Sequence, residues 1–297
     1  MKDEISDLAY AVGWGTVRRM PQPVADVTFR TLADQTWLRH GPSVAQLERN
    51  LRRVRPDAST REIRLLSRES MRSYLRYWCE VFRLPDLSHE QIVARVHCFG
   101  EEKIAAGLAG GKGVVIVLPH MANYDHGGAW VSLAHAHPTT VAERLKPESL
   151  YERFLDYRRE LGIEVLPLTG GPPPFRTLLE RAREGRLICL VGDRDLTASG
   201  VEVDFFGERA SMPSGPAAIA VATGADLLPA TLWYDGPTLN IRIHDAVEIP
   251  VSGSRPEKVA VMTQTCADAF ASGIDEHPQD WHMLQPLWVG DQRKPPR

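Results

Sequence analysis

The sequence lacks any long apolar run. Its cleanest apolar stretches, such as residues 114–118, are far shorter than the roughly 20 residues that a membrane-spanning helix needs. The amino terminus carries Asp3, Glu4 and Asp7, whereas a secretory signal begins with positive charge. We therefore expect a chain that does not cross a membrane, although it can still lie against one.

Paired cysteines and a strong net charge are also missing. The cysteines are widely spaced, with no CxxC pair and no zinc-finger spacing: Cys79, Cys98, Cys189 and Cys266. This pattern is typical of buried, reduced thiols in a cytosolic protein. His126, His135 and His137 have no carboxylate spacing that favours a metal site, so we expect neither metal nor cofactor. The net charge of -3 gives no general attraction to nucleic acid.

Short apolar segments alternate with helical patterns after about residue 110. The predicted strands are 114–118, 139–142, 163–166, 187–191, 226–234 and 239–247. The predicted helices are 125–135, 147–161, 174–184, 213–223 and 255–273, the last opening with a capping-box pattern at Ser254 and Glu257. This alternation predicts an α/β fold with a mixed central sheet that has helices on both faces.

The first hundred residues have a helical pattern instead. Residues 4–19 predict a short helix that ends at Pro21 and Pro23, and residues 43–83 predict helix interrupted near Pro56. Ten arginines between residues 49 and 83 allow two interpretations, a solvated helical face or a basic surface for anionic lipid headgroups. We expect one domain over 1–297, with an N-terminal, membrane-facing helical segment (1–100) packed on an α/β core (101–290).

His120 directly follows an apolar strand and Pro119, at the strand end where open α/β sheets form ligand clefts. Asp125 comes five residues later, and a turn could bring its carboxylate back to the imidazole. A neutral imidazole can deprotonate an alcohol near neutral pH, and a carboxylate behind it stabilises the imidazolium that forms. By itself, a histidine at a strand end is more often structural.

No serine or cysteine stands where a covalent triad needs one, and no G-x-S-x-G motif is present. This favours direct attack of an acceptor hydroxyl on an activated acyl donor. Gly107, Gly111 and Lys112 lack the spacing of a phosphate loop and precede a strand, so we interpret them as a turn that ends a helix.

The His-x4-Asp pattern resembles the signature of the glycerolipid and lysophospholipid acyltransferase superfamily. Further segments resemble its phosphatidylinositol mannoside acyltransferase branch, in one order from about residue 5 to 290: 141–151, 168–171, 193–197, 203–208, 212–216 and 280–286. The resemblance implies an O-acyltransferase that moves a palmitoyl-like chain from acyl-coenzyme A to a mannose hydroxyl of a phosphatidylinositol mannoside. It also implies that His120 is the base, with Asp125 as its partner.

The same resemblance assigns further site residues. Asp193 stands where the family usually has a glutamate held near the histidine, and it is one methylene shorter. Glu143 and Arg158 match positions near the acceptor and the reacting centre, and Arg144 is a further candidate; a surface ion pair is the alternative for each. Phe205 and Phe206 lie beside the acyl-donor channel in the family, although adjacent aromatics are equally typical of core packing. A helix start at Ser214 could present backbone N–H groups to the phosphates of coenzyme A.

The resemblance also implies the partners, which are acyl-coenzyme A, a glycolipid acceptor and an anionic membrane surface, with no nucleic acid. The expected location is the cytoplasmic face of the cell membrane, as a peripheral protein. Two alternatives stay open. One is a related acyltransferase with a lysophospholipid or lipid A type acceptor, or with an acyl-carrier-protein donor. The other is a non-catalytic protein that binds acyl-coenzyme A or lipid.

Overall fold

A seven-stranded mixed sheet forms the centre of the computed structural model, which describes residues 15–143, 148–195 and 200–292. The strands are β1 (Val96–Phe99), β2 (Val114–Leu118), β3 (Thr139–Ala142), β4 (Glu164–Pro167), β5 (Leu187–Val191), β6 (Val201–Phe205), β7 (Glu208–Met212), β8 (Asp226–Asp235) and β9 (Thr238–Ile243). The sheet order is β1-β9-β8-β2-β5-β3-β4, and β6 and β7 form a separate hairpin. Every pair in the large sheet is parallel except β8 with β9, so the predicted mixed α/β fold is confirmed.

Helices flank the sheet and build most of the first hundred residues. They are α1 (Gln22–Arg39), α2 (Pro42–Val54), α3 (Thr60–Arg83), α4 (His89–Ala94), α5 (Glu102–Ala109), α6 (Tyr124–Ala134), α7 (Glu148–Glu160), α8 (Pro174–Arg183), α9 (Gly215–Thr223), α10 (Arg255–Glu276) and α11 (Val289–Gln292). Within the described ranges, none of these helices has both the length and the apolar character needed to cross a bilayer. The helix predicted over 4–19 lies mostly outside the described residues. Its described part, residues 15–19, is helical.

Strand β2 lies in the middle of the sheet. It pairs in parallel with β5 on one side and with β8 on the other, and Val114, Val115 and Val117 are buried. A strand covered on both faces is apolar at every position, which explains the uninterrupted run in the sequence. The strand fixes the position of the loop that carries His120.

Several elements differ from the sequence-based predictions, and three of these differences have a clear physical reason. Helix α1 was missed because Pro21 and Pro23 were interpreted as a stop, whereas Pro21 caps the helix and Pro23 lies in its first turn, where no intrahelical bond is lost. The β6–β7 hairpin was missed too; its tip is Phe206-Gly207, both with positive φ, as a type I′ turn requires. Strand β9 ends at Ile243, before the predicted 247, because the next partner on β8 is Pro229, which has no N–H to donate.

The arginines between residues 49 and 83 mostly tie the helices to one another and to the core. Eight of the ten donate to acceptors within the protein: Arg49, Arg53, Arg55, Arg64, Arg68, Arg72, Arg76 and Arg83. Arg72 and Arg68 both bind Asp34 of α1 and hold the pKa of that carboxyl well below its usual value. Most of this positive charge therefore has a structural partner, and Arg52 and Arg61 are the exposed remainder among the described residues.

Candidate active site

The parallel pairing of β2 and β5 brings His120 and Asp193 to one edge of the sheet. Leu118 is in register with Val191, and the Gly192 N–H donates to the Leu118 carbonyl at 2.8 Å. His120 follows β2 by two residues and Asp193 follows β5 by two, so both side chains leave the sheet at its carboxyl edge. Residues that are 73 apart in sequence thus become neighbours.

The carboxylate behind the imidazole is that of Asp193. His120 Nδ1 lies 2.6 Å from Asp193 Oδ1, and the His120 backbone N–H donates to Oδ2 at 3.0 Å. The indole N–H of Trp281 donates to the same Oδ2, also at 3.0 Å. A carboxylate at Nδ1 keeps the proton on that nitrogen, which leaves Nε2 as the acceptor of the neutral ring. His120 is 29% exposed and lines a cavity, so this nitrogen has the arrangement that a general base requires.

Asp193 is fully buried, yet its surroundings favour the charged form. Burial by itself would raise the pKa of this carboxyl. Attraction to the imidazolium form of His120 and the hydrogen bonds from His120 and Trp281 outweigh burial, and the pKa of Asp193 lies below its usual value. The aspartate also reaches His120 without the extra methylene of the family's usual glutamate.

The prediction that Asp125 stands behind His120 is wrong. The Asp125 carboxylate binds the Arg158 guanidinium and accepts a hydrogen bond of 2.8 Å from the Tyr77 hydroxyl. The reason is local. The Asn123 side chain caps α6 at the His126 N–H, which places Asp125 in the first helical turn, where it meets α3 and α7. Asp125 therefore joins three helices, and the carboxylate that binds the His120 imidazole is that of Asp193.

Tyr124 contacts both His120 and Tyr77, the residue that binds Asp125. Its ring meets the His120 ring edge-on with centroids 5.6 Å apart, and it stacks on Tyr77 at 4.9 Å. Burial and the nearby charge of Asp125 raise the pKa of both tyrosines, so their hydroxyls stay protonated. His120 thus has an aromatic wall on one side and a charged partner on the other.

A cavity of about 900 Å³ opens beside His120. One part is apolar and is lined by Leu161, Ile163, Phe175, Leu178, Cys189 and Leu190, while other lining residues carry charge: Asp125, Glu143, Arg158, Arg194 and Asp195. Glu143 and Arg194 form an ion pair at 3.5 Å. Within the described ranges, no three His, Cys, Asp or Glu side chains converge as metal ligands would. An apolar part beside charged lining residues suits a substrate with a long apolar part and a polar reacting end.

The structure brings some predicted substrate contacts to this cavity and places others elsewhere. Glu143, Arg158 and Ser214 line it, and Ser214 is the residue before the first turn of α9. Phe205 lies in the core between Trp281 and Trp288, which is the packing alternative, and Phe206 lines a separate surface pocket. Arg144 falls outside the described residues.

Sequence reasoning assigned no role to several residues that the structure places at the site. Tyr77 lies in the arginine-rich helix α3, and no local pattern connects it with Asp125, 48 residues away. Trp281 and His282 belong to a motif recognised by resemblance, 280–286, but nothing in its spacing shows which side chain reaches the His120–Asp193 pair. Only the folded chain brings these residues together.

Comparisons with known proteins identify the family of this chain. A family model described as bacterial lipid A biosynthesis acyltransferase matches residues 2–289. The chain is 48% identical over 291 residues to proteins named phosphatidylinositol mannoside acyltransferase from two strains of Mycobacterium tuberculosis, which covers 96% of this chain and 89% of each relative. It is 46% identical over 291 residues to a protein of that name from Mycolicibacterium smegmatis, covering 97% of this chain and 93% of the relative. The resemblance is thereby confirmed, and the chain belongs to the bacterial lipid A biosynthesis acyltransferase family.

Proposed function

We propose that this acyltransferase moves a fatty acyl chain from acyl-coenzyme A to a mannose hydroxyl of a phosphatidylinositol mannoside, with His120 as the general base and Asp193 as its orienting partner. The observation that carries this proposal is the 2.6 Å contact between His120 Nδ1 and a buried, ionised Asp193 at the wall of the cavity. The names of the mycobacterial relatives support the acceptor.

In the proposed reaction, His120 Nε2 removes the proton of the mannose hydroxyl as its oxygen attacks the thioester carbonyl. The tetrahedral adduct collapses to the ester, and the carbon–sulfur bond breaks. The imidazolium returns the proton to the leaving thiolate, which departs as free coenzyme A. Asp193 stabilises the imidazolium between these two proton transfers.

The cavity offers separate surroundings for the two substrates. We assign the acyl chain to the apolar part around Ile163, Leu178 and Cys189, because burying methylenes there is favourable at about 0.8 kcal/mol each. We assign the sugar to the polar part, where Glu143 and Asp195 can accept hydrogen bonds from hydroxyls. Ser214 lies near enough to line the same space, and the free N–H groups at the start of α9 are candidates for the phosphates of the donor.

We also propose that the protein works as a peripheral protein at the cytoplasmic face of the membrane. Helix α1 exposes Val24, Val27, Leu32 and Leu38, and α3 exposes Leu65 beside it. Exposed apolar side chains next to exposed arginines such as Arg61 suit an anionic lipid surface.

The test is a thiol-release assay with palmitoyl-coenzyme A, with and without a phosphatidylinositol mannoside. The variant is His120→Ala, and the control is His89→Ala, at an exposed histidine that begins α4. We expect acceptor-dependent thiol release in the wild type and in His89→Ala, and its loss in His120→Ala.

Other outcomes point to the alternatives. Thiol release that needs His120 but not the acceptor supports the acyl-transfer chemistry and contradicts the proposed acceptor. Thiol release from an acylated acyl carrier protein, but not from acyl-coenzyme A, contradicts the proposed donor. A folded wild type that releases thiol from neither donor contradicts the catalytic proposal and favours a lipid-binding protein.

A further inference from the structure

Residues 280–282 run antiparallel beside the loop that carries His120. The Ala122 N–H donates to the Asp280 carbonyl at 2.8 Å, and the His282 N–H donates to the His120 carbonyl at 2.8 Å. Met121 and Trp281 form an antiparallel bridge between these two bonds. Ala122 has a φ of 45°, a conformation that costs energy for a residue with a side chain, and this pairing holds it there.

The segment is itself fixed to two other elements. The Asp280 carboxylate accepts the Ser73 hydroxyl of α3 at 2.6 Å and the Tyr234 N–H of β8 at 3.1 Å. Ser73 also lies 2.9 Å from His282 Nε2. Because the Ser73 proton goes to Asp280, His282 donates to Ser73. The segment therefore cannot slide along the catalytic loop without breaking buried hydrogen bonds.

This register places the Trp281 indole against Asp193. Trp281 is fully buried, and its N–H and the His120 backbone N–H both donate to Asp193 Oδ2. With Oδ2 occupied by two donors, Oδ1 is the oxygen that faces His120 Nδ1. The indole thus sets the orientation of the carboxylate as well as adding a hydrogen bond.

We propose that Trp281 is a positioning residue for acyl transfer, which acts on His120 through Asp193 and contacts neither substrate. This inference rests on the proposed role of His120 as the base. A carboxylate with a free Oδ2 can rotate away from the imidazole, and a misplaced base loses rate steeply. Trp281 is not among the residues that line the cavity, which agrees with an indirect role.

The indole also affects the proton balance of the His120–Asp193 pair. With the imidazole neutral, the pair carries one negative charge, and with the imidazole protonated it carries none. The positive end of the indole N–H dipole stabilises the negative, active form. Its removal makes the pair bind a proton more readily, so the acidic limb of the pH–rate profile should move to higher pH.

The charge states of the other ionisable groups that face the His120–Asp193 pair should not change when the Trp281 indole is removed. Burial lowers the pKa of His282 to about 3, so this ring is neutral. Tyr124 stays protonated, and Asp125 is neutralised by Arg158. Among the described residues, the other charged side chains that line the cavity beside His120 are those of Glu143, Arg194 and Asp195.

The experiment compares Trp281→Phe with Trp288→Phe. Trp288 is a matched control, since it is also fully buried, packs on the same Phe205 and donates its indole N–H to the Phe205 carbonyl at 2.9 Å. Both variants lose one ring and one buried hydrogen bond, so both should lower the melting temperature. We expect only Trp281→Phe to lower kcat by about tenfold and to move the acidic limb up by about half to one pH unit, with KM for acyl-coenzyme A little changed.

The proposal is overturned if the acidic limb of the pH–rate profile of Trp281→Phe coincides with that of the wild type. It is also overturned if the acidic limb moves equally in Trp288→Phe. If Trp281→Phe does not fold, benzothienylalanine installed at position 281 keeps the two-ring shape, lacks the N–H and should give the same shift. Failure of the proposed function looks different, because then either the wild type releases no thiol from any acyl donor or His120→Ala keeps wild-type activity, whatever stands at position 281.

Discussion

At the residue scale, the two acids near His120 differ through their partners. Asp193 binds the imidazole and two N–H donors, whereas Asp125 binds Arg158 and Tyr77. Both are carboxylates close to one histidine, and their chemistry alone does not separate them. The geometry places Asp193 behind the His120 imidazole, where it suits the proposed role of orienting a base, and places Asp125 where α3, α6 and α7 meet.

The variants Asp193→Asn and Asp125→Asn should therefore fail in different ways. Asp193→Asn should lower kcat by about a thousandfold or more, because the amide cannot stabilise the imidazolium. Asp125→Asn should lower the free energy of unfolding by about 2–4 kcal/mol, because it removes the carboxylate from a largely buried ion pair with Arg158. Kinetics and urea unfolding of both variants would check this, and equal losses of stability would contradict it.

At the element scale, the parallel strands determine where the chemistry occurs. Strands β2 and β5 end at the same edge and bring two distant residues together, while β3 and β4 extend the sheet along one side of the cavity. Glu164 fastens β4 to its neighbours. Its carboxylate accepts two hydrogen bonds of 2.7 Å from Arg181 of α8 and one of 2.9 Å from Thr139 of β3.

The Glu164 contacts predict a pH-dependent stability. Hydrogen bonds from Arg181 lower the pKa of Glu164 from 4.5 to about 2. A lowered pKa stabilises the fold above the ordinary value, and the stabilisation is lost as pH falls toward about 2. Since both side chains are about a quarter exposed, we expect about 1 kcal/mol. Urea unfolding should show Glu164→Gln less stable than the wild type at neutral pH and nearly equal to it in acid, and a constant difference would contradict this.

At the scale of the whole molecule, the arginines and the exposed apolar side chains have different roles. The arginines of α2 and α3 are largely used to hold α1 and the carboxyl-terminal residues in place, as in the Arg53–Asp291 pair. The exposed apolar side chains of α1 have no partner of this kind within the described residues. A membrane would therefore be recognised through this apolar helix face together with exposed arginines such as Arg30 and Arg39 of α1.

We expect the protein to bind phosphatidylglycerol vesicles more strongly than phosphatidylcholine vesicles, and less strongly as salt rises. Val27→Glu with Leu38→Glu should lower the affinity by about tenfold or more, because both side chains are 66% exposed on α1. The control is Val251→Glu with Val261→Glu, at exposed apolar residues outside α1 and α3. Vesicle sedimentation measures this, and equal losses in both double variants would contradict a docking surface on α1.

The sequence by itself determined the mixed α/β fold and the position of His120. Strands 114–118, 139–142 and 187–191 were predicted to the residue. Burial explains the first and third of these, because a strand that is covered on both faces leaves a continuous apolar run. Resemblance to a family added the reaction class. It also pointed to Asp193, whose distance of 73 residues from His120 leaves no local signal.

Only the tertiary structure decided which carboxylate serves His120 and what holds it there. A helix cap at Asn123 turns Asp125 toward Arg158, and sheet register delivers Asp193 in its place. The link from Trp281 to Asp193 spans 88 residues and depends on strand pairing that no local pattern encodes. Apolar periodicity fixes secondary structure because it is a local property, whereas a hydrogen bond between distant residues exists only once the whole core has formed.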